Sequence, residues 1–592
     1  MKKYTPKTID KPALCFWGLT MLKFLLFNLM WCLPTTFVPF STLEMYTSAI
    51  LVSLLLVTPY KFFRLWKTEI VVMLLLDALL VANLMYFRTY YTAIPLSSYA
   101  LSVVSNLTDF KASVSDSLRW TDLLFPLTSL AAIPLYRHYR RQASRHGTLF
   151  IPLFATSLLL LVLTTAIKGG FAHTYNKMRQ KAYLCSSGAA LYTVFGSLAF
   201  DMLAQDEELT PEINERIGRW LSRQPAACPP DSTLRPRRHC IVILAESFES
   251  WVLERSVEGQ EITPHLNRLL ADSTTLYAPH MLSQVKGGRS IDAQLLLCGG
   301  LLPIQSGTYA SLYPDHTYYT LQKALKQRYG SRSYLLTIDK LSTWNQGVIA
   351  QSFGTDTLIA YRDFELEEAF GTHRRTGDGS FFEQCREKME RNELWPEGES
   401  VYMQFVTYSG HAPFVLPKEL REVHFSDSIP RKVADYMTTA RYTDHAIGRF
   451  VEYLKSRPEY RDMLIVITGD HEGLARYRKP LCEAPGGRGL VSPHQYTPFI
   501  VLNSPVGLRY EGVCGQIDMY PTLLTLLGLD DYPWHGLGQS LLDPAKPAFA
   551  VSPHDVVEGV VPSDSLLQHA REAYDISDLI IRYNYLDKLE KF

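Results

Sequence analysis

The sequence lacks an excess of charge of either sign. Its 592 residues carry 59 lysines and arginines against 59 aspartates and glutamates. That balance gives a polyanion nothing to be drawn to, so no nucleic-acid partner is expected. It also lacks cysteine spaced for metal: none of the nine cysteines falls in a CxxC pair or a zinc-finger pattern. Seven of them (Cys185, Cys228, Cys240, Cys298, Cys385, Cys482 and Cys514) lie beyond the apolar N-terminal part, and an odd number leaves at least one thiol unpaired. No internal repeat is present, which excludes solenoids and propellers. No small-residue cleavage site follows the first apolar run, so that run does not read as a removable signal peptide.

What is there is uneven. Hydrophobic residues make up 47% of the chain, but the long apolar runs all lie in the first 170 residues. Five candidate spans occupy 14–33, 43–60, 70–87, 123–135 and 149–167, the fourth being the shortest. Five such runs in so short a region argue against buried helices of a soluble core. Basic residues cluster before the first span (Lys2, Lys3, Lys7, Lys11), between the second and third (Lys61, Arg64, Lys67) and between the fourth and fifth (Arg137, Arg140, Arg141, Arg145). These segments fall on one side, which the positive-inside rule makes cytoplasmic. An odd number of spans then exports the C-terminal part. Trp17, Trp31, Trp66 and Trp120 stand near span ends, as interfacial anchors do. Asp77 falls within the third span, either as a functional acid or facing a polar gap between helices.

The expected organisation is a transmembrane domain over 1–170, a connector with amphipathic helices over 171–235, and a globular domain over 236–592. Thr210-Pro211-Glu212 starts a short helix, with threonine as N-cap and proline in the first turn. From Cys240 onward, aliphatic strand candidates alternate with helices: 241–244, 334–338, 401–407, 463–468 and 498–502. The pattern predicts a mostly parallel sheet with helices on both faces.

Three stretches carry the chemistry. Ile241-Val242-Ile243-Leu244-Ala245-Glu246 ends a buried strand on a carboxylate. Met463–Thr468 repeats the pattern and runs into Gly469-Asp470-His471-Glu472. Between them, Lys286-Gly287-Gly288-Arg289-Ser290-Ile291-Asp292 is a glycine turn leading into a helix. Acids at the carboxyl ends of parallel strands stand where such sheets place ligands. Glu246, Ser290, Asp470 and His471 together offer three oxygens and an imidazole, a set suited to a hard or borderline divalent ion. Each has a plainer reading: Ser290 as a helix N-cap, Glu246 as a cap on the next helix, Glu472 as a surface or supporting residue.

These stretches, with Ser409-Gly410-His411-Ala412-Pro413-Phe414, resemble in the same order the motifs of the lipoteichoic acid synthase-like phosphoglycerol transferases of the alkaline phosphatase/sulfatase superfamily. The resemblance implies an α-helical membrane domain followed by a sulfatase-like α/β domain. It implies Ser290 as nucleophile, and Glu246, Ser290, Asp470 and His471 as ligands of a metal, manganese first, magnesium or zinc as alternatives. It implies His411 at the substrate, binding phosphate or protonating the leaving alkoxide, with Arg289 at the phosphate. Trp344-Asn345-Gln346 resembles a tryptophan-asparagine-arginine segment of the family's glycerol-phosphate pocket. Gln346 replaces its arginine, removing a bidentate phosphate fork; Arg362, His373 or Arg374 are candidates to substitute. His494 is either near the site or an ordinary loop residue.

The implied protein sits in a bacterial cytoplasmic membrane with its catalytic domain outside. It moves glycerophosphate from a phospholipid donor in the bilayer to a glycan, a lipid or water. A phosphoethanolamine transferase or phosphodiesterase on the same site, and a non-catalytic lipid sensor with a hydrolase-like domain, are the alternatives. A sulfatase is disfavoured, because Ser290 lacks the Cys/Ser-x-Pro-Ser-Arg sequence that formylglycine requires.

Overall fold

The computed structural model describes residues 10–33, 39–90, 93–94, 118–143, 150–170, 174, 189, 191–203, 208–225, 234–305, 308–341, 343–371, 374–474 and 477–591. Lys2, Lys3, Lys7, Arg145, Cys185, Cys228 and His373, most of loop 88–120 and most of the connector before 191 lie outside the described residues. The chain forms two compact units, Met1–Asp206 and Glu207–Phe592.

The first unit is helical: α1 (Lys11–Cys32), α2 (Leu43–Phe63), α3 (Trp66–Tyr90), α4 (Leu124–Tyr139), α5 (Phe150–Ile167) and α6 (Thr193–Leu203). Among the described residues, α1, α2, α3 and α5 are long and apolar enough to cross a membrane. They are apolar around their whole circumference, as helices facing both lipid and neighbours are. The expected fourth span is α4, a helix of 16 residues, about 24 Å long at the α-helical rise. It is tied into the bundle by polar contacts. Lys23 on α1, fully buried, pairs with Asp77 on α3 and donates to the Phe125 carbonyl (2.9 Å), Thr128 Oγ1 (2.6 Å) and Ser129 Oγ (2.9 Å) around α4. Ser129 in turn donates to Asp77 Oδ2 at 2.5 Å. Asp77 thus faces a polar gap between helices. Trp31 departs from its expected place at the interface. It is fully buried and stacked on Phe87, with ring centroids 4.1 Å apart.

In the second unit, helix α7 (Pro211–Leu221) begins as expected, with Thr210 Oγ1 accepting from the Ile213 N–H. It belongs to this unit: Trp220 stacks on His569 and donates to its carbonyl at 3.2 Å. The centre is a nine-stranded sheet of β1 (His239–Ala245), β2 (Leu276–Leu282), β3 (Arg332–Thr337), β4 (Thr357–Ile359), β5 (Val401–Val406), β6 (Met463–Gly469), β7 (Tyr496–Leu502), β8 (Leu508–Arg509) and β9 (Cys514–Gly515). Strand order is β8-β2-β7-β6-β1-β5-β3-β4, with β9 also on β2. β7 runs against both its neighbours, and every other pairing is parallel.

β1 explains the layers. Successive side chains point to opposite faces of a strand. Cys240, Val242 and Leu244 enter one core, with α9 (Ser290–Gly299) and α14 (Met519–Leu526). Ile241, Ile243 and Ala245 enter the other, with α12 (Asp378–Glu390) and α13 (Arg431–Ser456). A strand covered on both faces must be apolar throughout, as this one is. Strand β2 is not among the strands the sequence pattern predicts, and Pro279 within it cannot donate to a ladder. The sheet accommodates it where the pairing to β7 shifts register between Ala278 and Met281.

Candidate active site

The site forms at the carboxyl edge of two adjacent strands. β1 and β6 pair in parallel with Ala245 opposite Gly469, so the next residues, Glu246 and Asp470, leave the sheet side by side. The chain after Glu246 folds over the end of β6. A Cβ on Gly469 would lie 1.9 Å from the Phe248 carbonyl oxygen, so only glycine fits. Asp470 Oδ1 accepts the N–H groups of Ser247 (2.6 Å) and His471 (2.7 Å). Its Oδ2 lies 3.4 Å from His471 Nε2, and Glu246 Oε1 lies 3.5 Å from the same nitrogen. One ligand atom from each of the three falls within 4.8 Å of the others, and all three residues are buried.

Ser290 opens α9, as the glycine turn predicts. Its Oγ lies 3.3 Å from Glu246 Oε2 and 3.5 Å from His471 Nε2. Asp292 Oδ2 fixes the turn by accepting the N–H groups of Lys286 and Gly288, each at 2.9 Å. The four expected ligands therefore converge. Burial pushes the Glu246 carboxyl up to about 8, Asp470 adds to the rise, and His471 opposes it. Among the described residues no lysine or arginine is hydrogen-bonded to Glu246 or Asp470. Buried acids without a fixed counter-charge, beside an imidazole nitrogen and a hydroxyl, fit a divalent ion.

The supporting groups were only partly legible. His471 Nδ1 lies 3.1 Å from the Glu472 carbonyl oxygen and 2.9 Å from Arg289 Nη2. The carbonyl would take a proton from Nδ1 and Arg289 would give one to it, so the two contacts compete; holding a metal on Nε2 requires the tautomer with the proton on Nδ1. Arg289, expected at the phosphate, is held by the loop after β6: it pairs with the Glu472 carboxylate, and Nη2 donates to the Glu472 carbonyl at 2.9 Å. Burial raises the Glu472 carboxyl, but the Arg289 charge outweighs it and holds the group below its usual range. Ser283 also donates to Glu472, which is thus a buried brace. Glu249 was missed. Fully buried, it accepts the N–H groups of Gly473 (2.7 Å) and Leu474 (3.0 Å) and pairs with Arg478 at 2.5 Å. Its one sequence signal is its place three residues after Glu246.

His411 is exposed, on the loop after β5. A Cβ on the preceding Gly410 would lie 1.9 Å from the Glu246 carbonyl oxygen, so this loop closes directly on the metal-site strand. His411 Nδ1 lies 2.8 Å from the Ala412 carbonyl. A carbonyl only accepts, so the proton sits on Nδ1 and Nε2 keeps its lone pair.

Trp344 is half-buried with φ of 51° and packs against the sheet's core. Gln346, expected in the substrate pocket, turns inward. Its amide is closed on Gln294 in both directions (2.7 and 3.0 Å), and Gln404 extends the chain to β5 at 3.0 Å. Arg362 and Arg374 are exposed, and His494 pairs with Glu558 at 2.9 Å. Cys240, Cys298, Cys385, Cys482 and Cys514 are all free thiols.

Comparison with known proteins gives the family and the fold. The sulfatase family model matches residues 238–529, and that of the lipoteichoic acid synthase N-terminal domain matches residues 2–194. The chain is 25% identical over 502 residues to the lipoteichoic acid synthase-like protein YvgJ of Bacillus subtilis, covering 81% of this chain and 78% of that one. It is 25% identical over 474 residues to lipoteichoic acid synthase of Staphylococcus aureus, covering 77% and 72%. The crystal structure of the lipoteichoic acid synthase LtaP from Listeria monocytogenes shares the fold, with a TM-score of 0.51 at 19% identity over 62% of this chain and 98% of that one. With both family models matched in order along the chain, the protein belongs to the lipoteichoic acid synthase-like family of the alkaline phosphatase/sulfatase superfamily.

Proposed function

We propose that the protein is a membrane-anchored, metal-dependent phosphoglycerol transferase. It takes glycerophosphate from a phospholipid headgroup, with phosphatidylglycerol as the donor. The acceptor is a hydroxyl of a glycan, a lipid or water. The observation that carries this reading is the convergence of Ser290 Oγ on Glu246 and His471 at the strand ends.

Glu246, Ser290, Asp470 and His471 would hold the metal, with manganese the first choice for a mixed oxygen and nitrogen set. When bound, the ion would lower the pKa of the Ser290 hydroxyl and offset the negative charge of the phosphodiester. Ser290 Oγ attacks phosphorus, and the serine proton leaves toward the carboxylates it faces. The bond from phosphorus to the diacylglycerol oxygen breaks, and His411, entering the step as an imidazolium with a second proton on Nε2, gives that oxygen its proton. Glycerophosphate is then an ester of Ser290. In the second half an acceptor hydroxyl attacks phosphorus, His411 takes its proton, and the ester to Ser290 breaks, the serine oxygen taking back the proton left on the facing carboxylate. Two displacements let the bulky lipid leave before the acceptor enters. The start of α9, where Ser290 stands, suits the nonbridging oxygens. Gln346 adds no positive charge there.

The basic loops support an inside N-terminus and a catalytic unit on the outer face of the membrane, an orientation that requires the 16-residue α4 to cross beside the four helices long enough to do so. The test is turnover. Full-length protein with labelled phosphatidylglycerol and manganese is expected to release diacylglycerol, and chelator is expected to stop it. Binding of the lipid with no diacylglycerol under manganese, magnesium or zinc would favour a non-catalytic lipid sensor instead.

A further inference from the structure

Asp378, the first residue of α12, lies outside the metal cluster and has no role in the chemistry above. It is fully buried. Its Oδ1 accepts two consecutive backbone N–H groups, from Tyr408 at 3.1 Å and Ser409 at 3.0 Å. Its own N–H donates to Ser409 Oγ at 2.9 Å. Its Oδ2 accepts from Thr443 Oγ1 on α13 at 3.1 Å. One carboxylate thus clamps the root of the loop that carries His411.

The clamp reaches His411 by short links. The His411 N–H donates to the Tyr408 carbonyl at 2.9 Å. The Tyr408 ring stacks on the imidazole, with centroids 5.2 Å apart and planes 10° from parallel. On its other side the loop abuts the Glu246 carbonyl oxygen at Gly410. The loop is therefore held between Asp378 and the metal-site strand, which narrows the positions open to an otherwise exposed imidazole.

We infer that Asp378 is a positioning residue for proton transfer by His411, an inference that rests on the proposed phosphoglycerol transfer. Asp378 touches no reacting atom. Losing it frees the two N–H groups, loosens residues 408–411 and moves Nε2 away from the leaving oxygen. The metal site and Ser290 are held by other contacts and stay in place.

The experiment compares two leaving groups on the full-length, metal-loaded protein. Phosphatidylglycerol leaves as an alkoxide that needs a proton. A glycerophosphoryl p-nitrophenyl ester leaves as a phenolate that does not. Asp378→Ala is expected to lower kcat on phosphatidylglycerol by about 100-fold, the low end of what general acid catalysis supplies. On the nitrophenyl ester the loss is expected to stay within about threefold on the same grounds, with KM and metal content unchanged. Asp378→Asn, whose Oδ1 can accept both N–H groups, is expected to restore most of the activity. In a His411→Ala background, Asp378→Ala is expected to cost little more. If Asp378→Ala does not fold, Asp378→Ser, too short to span both N–H groups, is read on the same pair of substrates. Equal losses on the two substrates, or no loss on phosphatidylglycerol, overturn the assignment while leaving the proposed function standing. A wild-type protein inactive on both substrates overturns the proposed function and this inference with it.

Discussion

Asp470, at the end of one strand, accepts the backbone N–H of Ser247, just beyond the end of its neighbour, at 2.6 Å. The same oxygen accepts the N–H of His471. One carboxylate oxygen therefore fixes the backbone on both sides of the cluster, while the other faces the space between Glu246, Ser290 and His471. Fixed geometry of this kind lets a site hold a metal without reorganising.

Metal removal should follow from changing either inner ligand of β6. Asp470→Ala and His471→Ala are each expected to weaken metal binding by more than about 100-fold, beyond the range seen for supporting residues. The fold of the catalytic unit should persist, since both residues lie outside the two cores. Elemental analysis of the purified proteins, read beside their circular dichroism, decides. Wild-type metal content in both variants would sink the ligand assignment.

Ser290→Ala is expected to lower turnover of the phospholipid donor by more than about a thousandfold, as loss of a covalent nucleophile does. Ser290→Thr keeps the hydroxyl and is expected to retain part of the activity. Brief exposure to donor, an acid quench and peptide mass spectrometry should place glycerophosphate on the peptide containing Ser290. Full activity in Ser290→Ala would end the mechanism.

The Lys23–Asp77 pair gives a prediction for the membrane unit. Asp77→Asn leaves a buried ammonium without its counter-charge, and breaking such a pair costs about 3–5 kcal/mol. Lys23→Met combined with Asp77→Leu removes both charges and is expected to recover much of that loss. Thermal unfolding in detergent measures all three. A double variant no more stable than Asp77→Asn alone would argue against the pair as the cause.

His239 should make the catalytic unit acid-sensitive. Burial, with a smaller push from Arg238, lowers its pKa from 6.5 to about 4, so it is neutral in the folded chain. Below pH 6.5 the unfolded chain takes up a proton that the folded one refuses. The stability held by the neutral form is complete above 6.5 and is lost as pH falls through 4. At pH 5 the loss is about 2 kcal/mol. His239→Asn keeps an acceptor for the Val401 N–H and removes the titration. Its unfolding midpoint should therefore fall less than the wild type's between pH 7.5 and pH 5. Parallel falls in both would assign the acid sensitivity to other groups.

The sequence by itself determined the elements and the inner site. Aliphatic residues on both faces of β1 and β6 require a sheet covered on both sides, and acids directly after such strands must stand at its edge. Glu246, Ser290, Asp470 and His471 were legible because each is tied to an element whose end the local sequence marks. What only the tertiary structure decided are contacts between residues far apart in the chain. Lys23 and Asp77 are separated by more than fifty residues, and nothing local pairs them. Gln346 follows Trp344-Asn345 and reads as a pocket residue, but Gln294, itself bonded to Gln404, draws its amide inward, because a buried amide must be satisfied by whatever packing brings near. Arg289 was read as open to phosphate and is held by Glu472. Pro279 hid strand β2, since only the shifted register to β7 removes the need for its missing N–H. Asp378 reads as an ordinary helix start. Its bond to the His411 loop exists because α12 packs beside β5, and that packing is set by the whole apolar core rather than by any residue near Asp378.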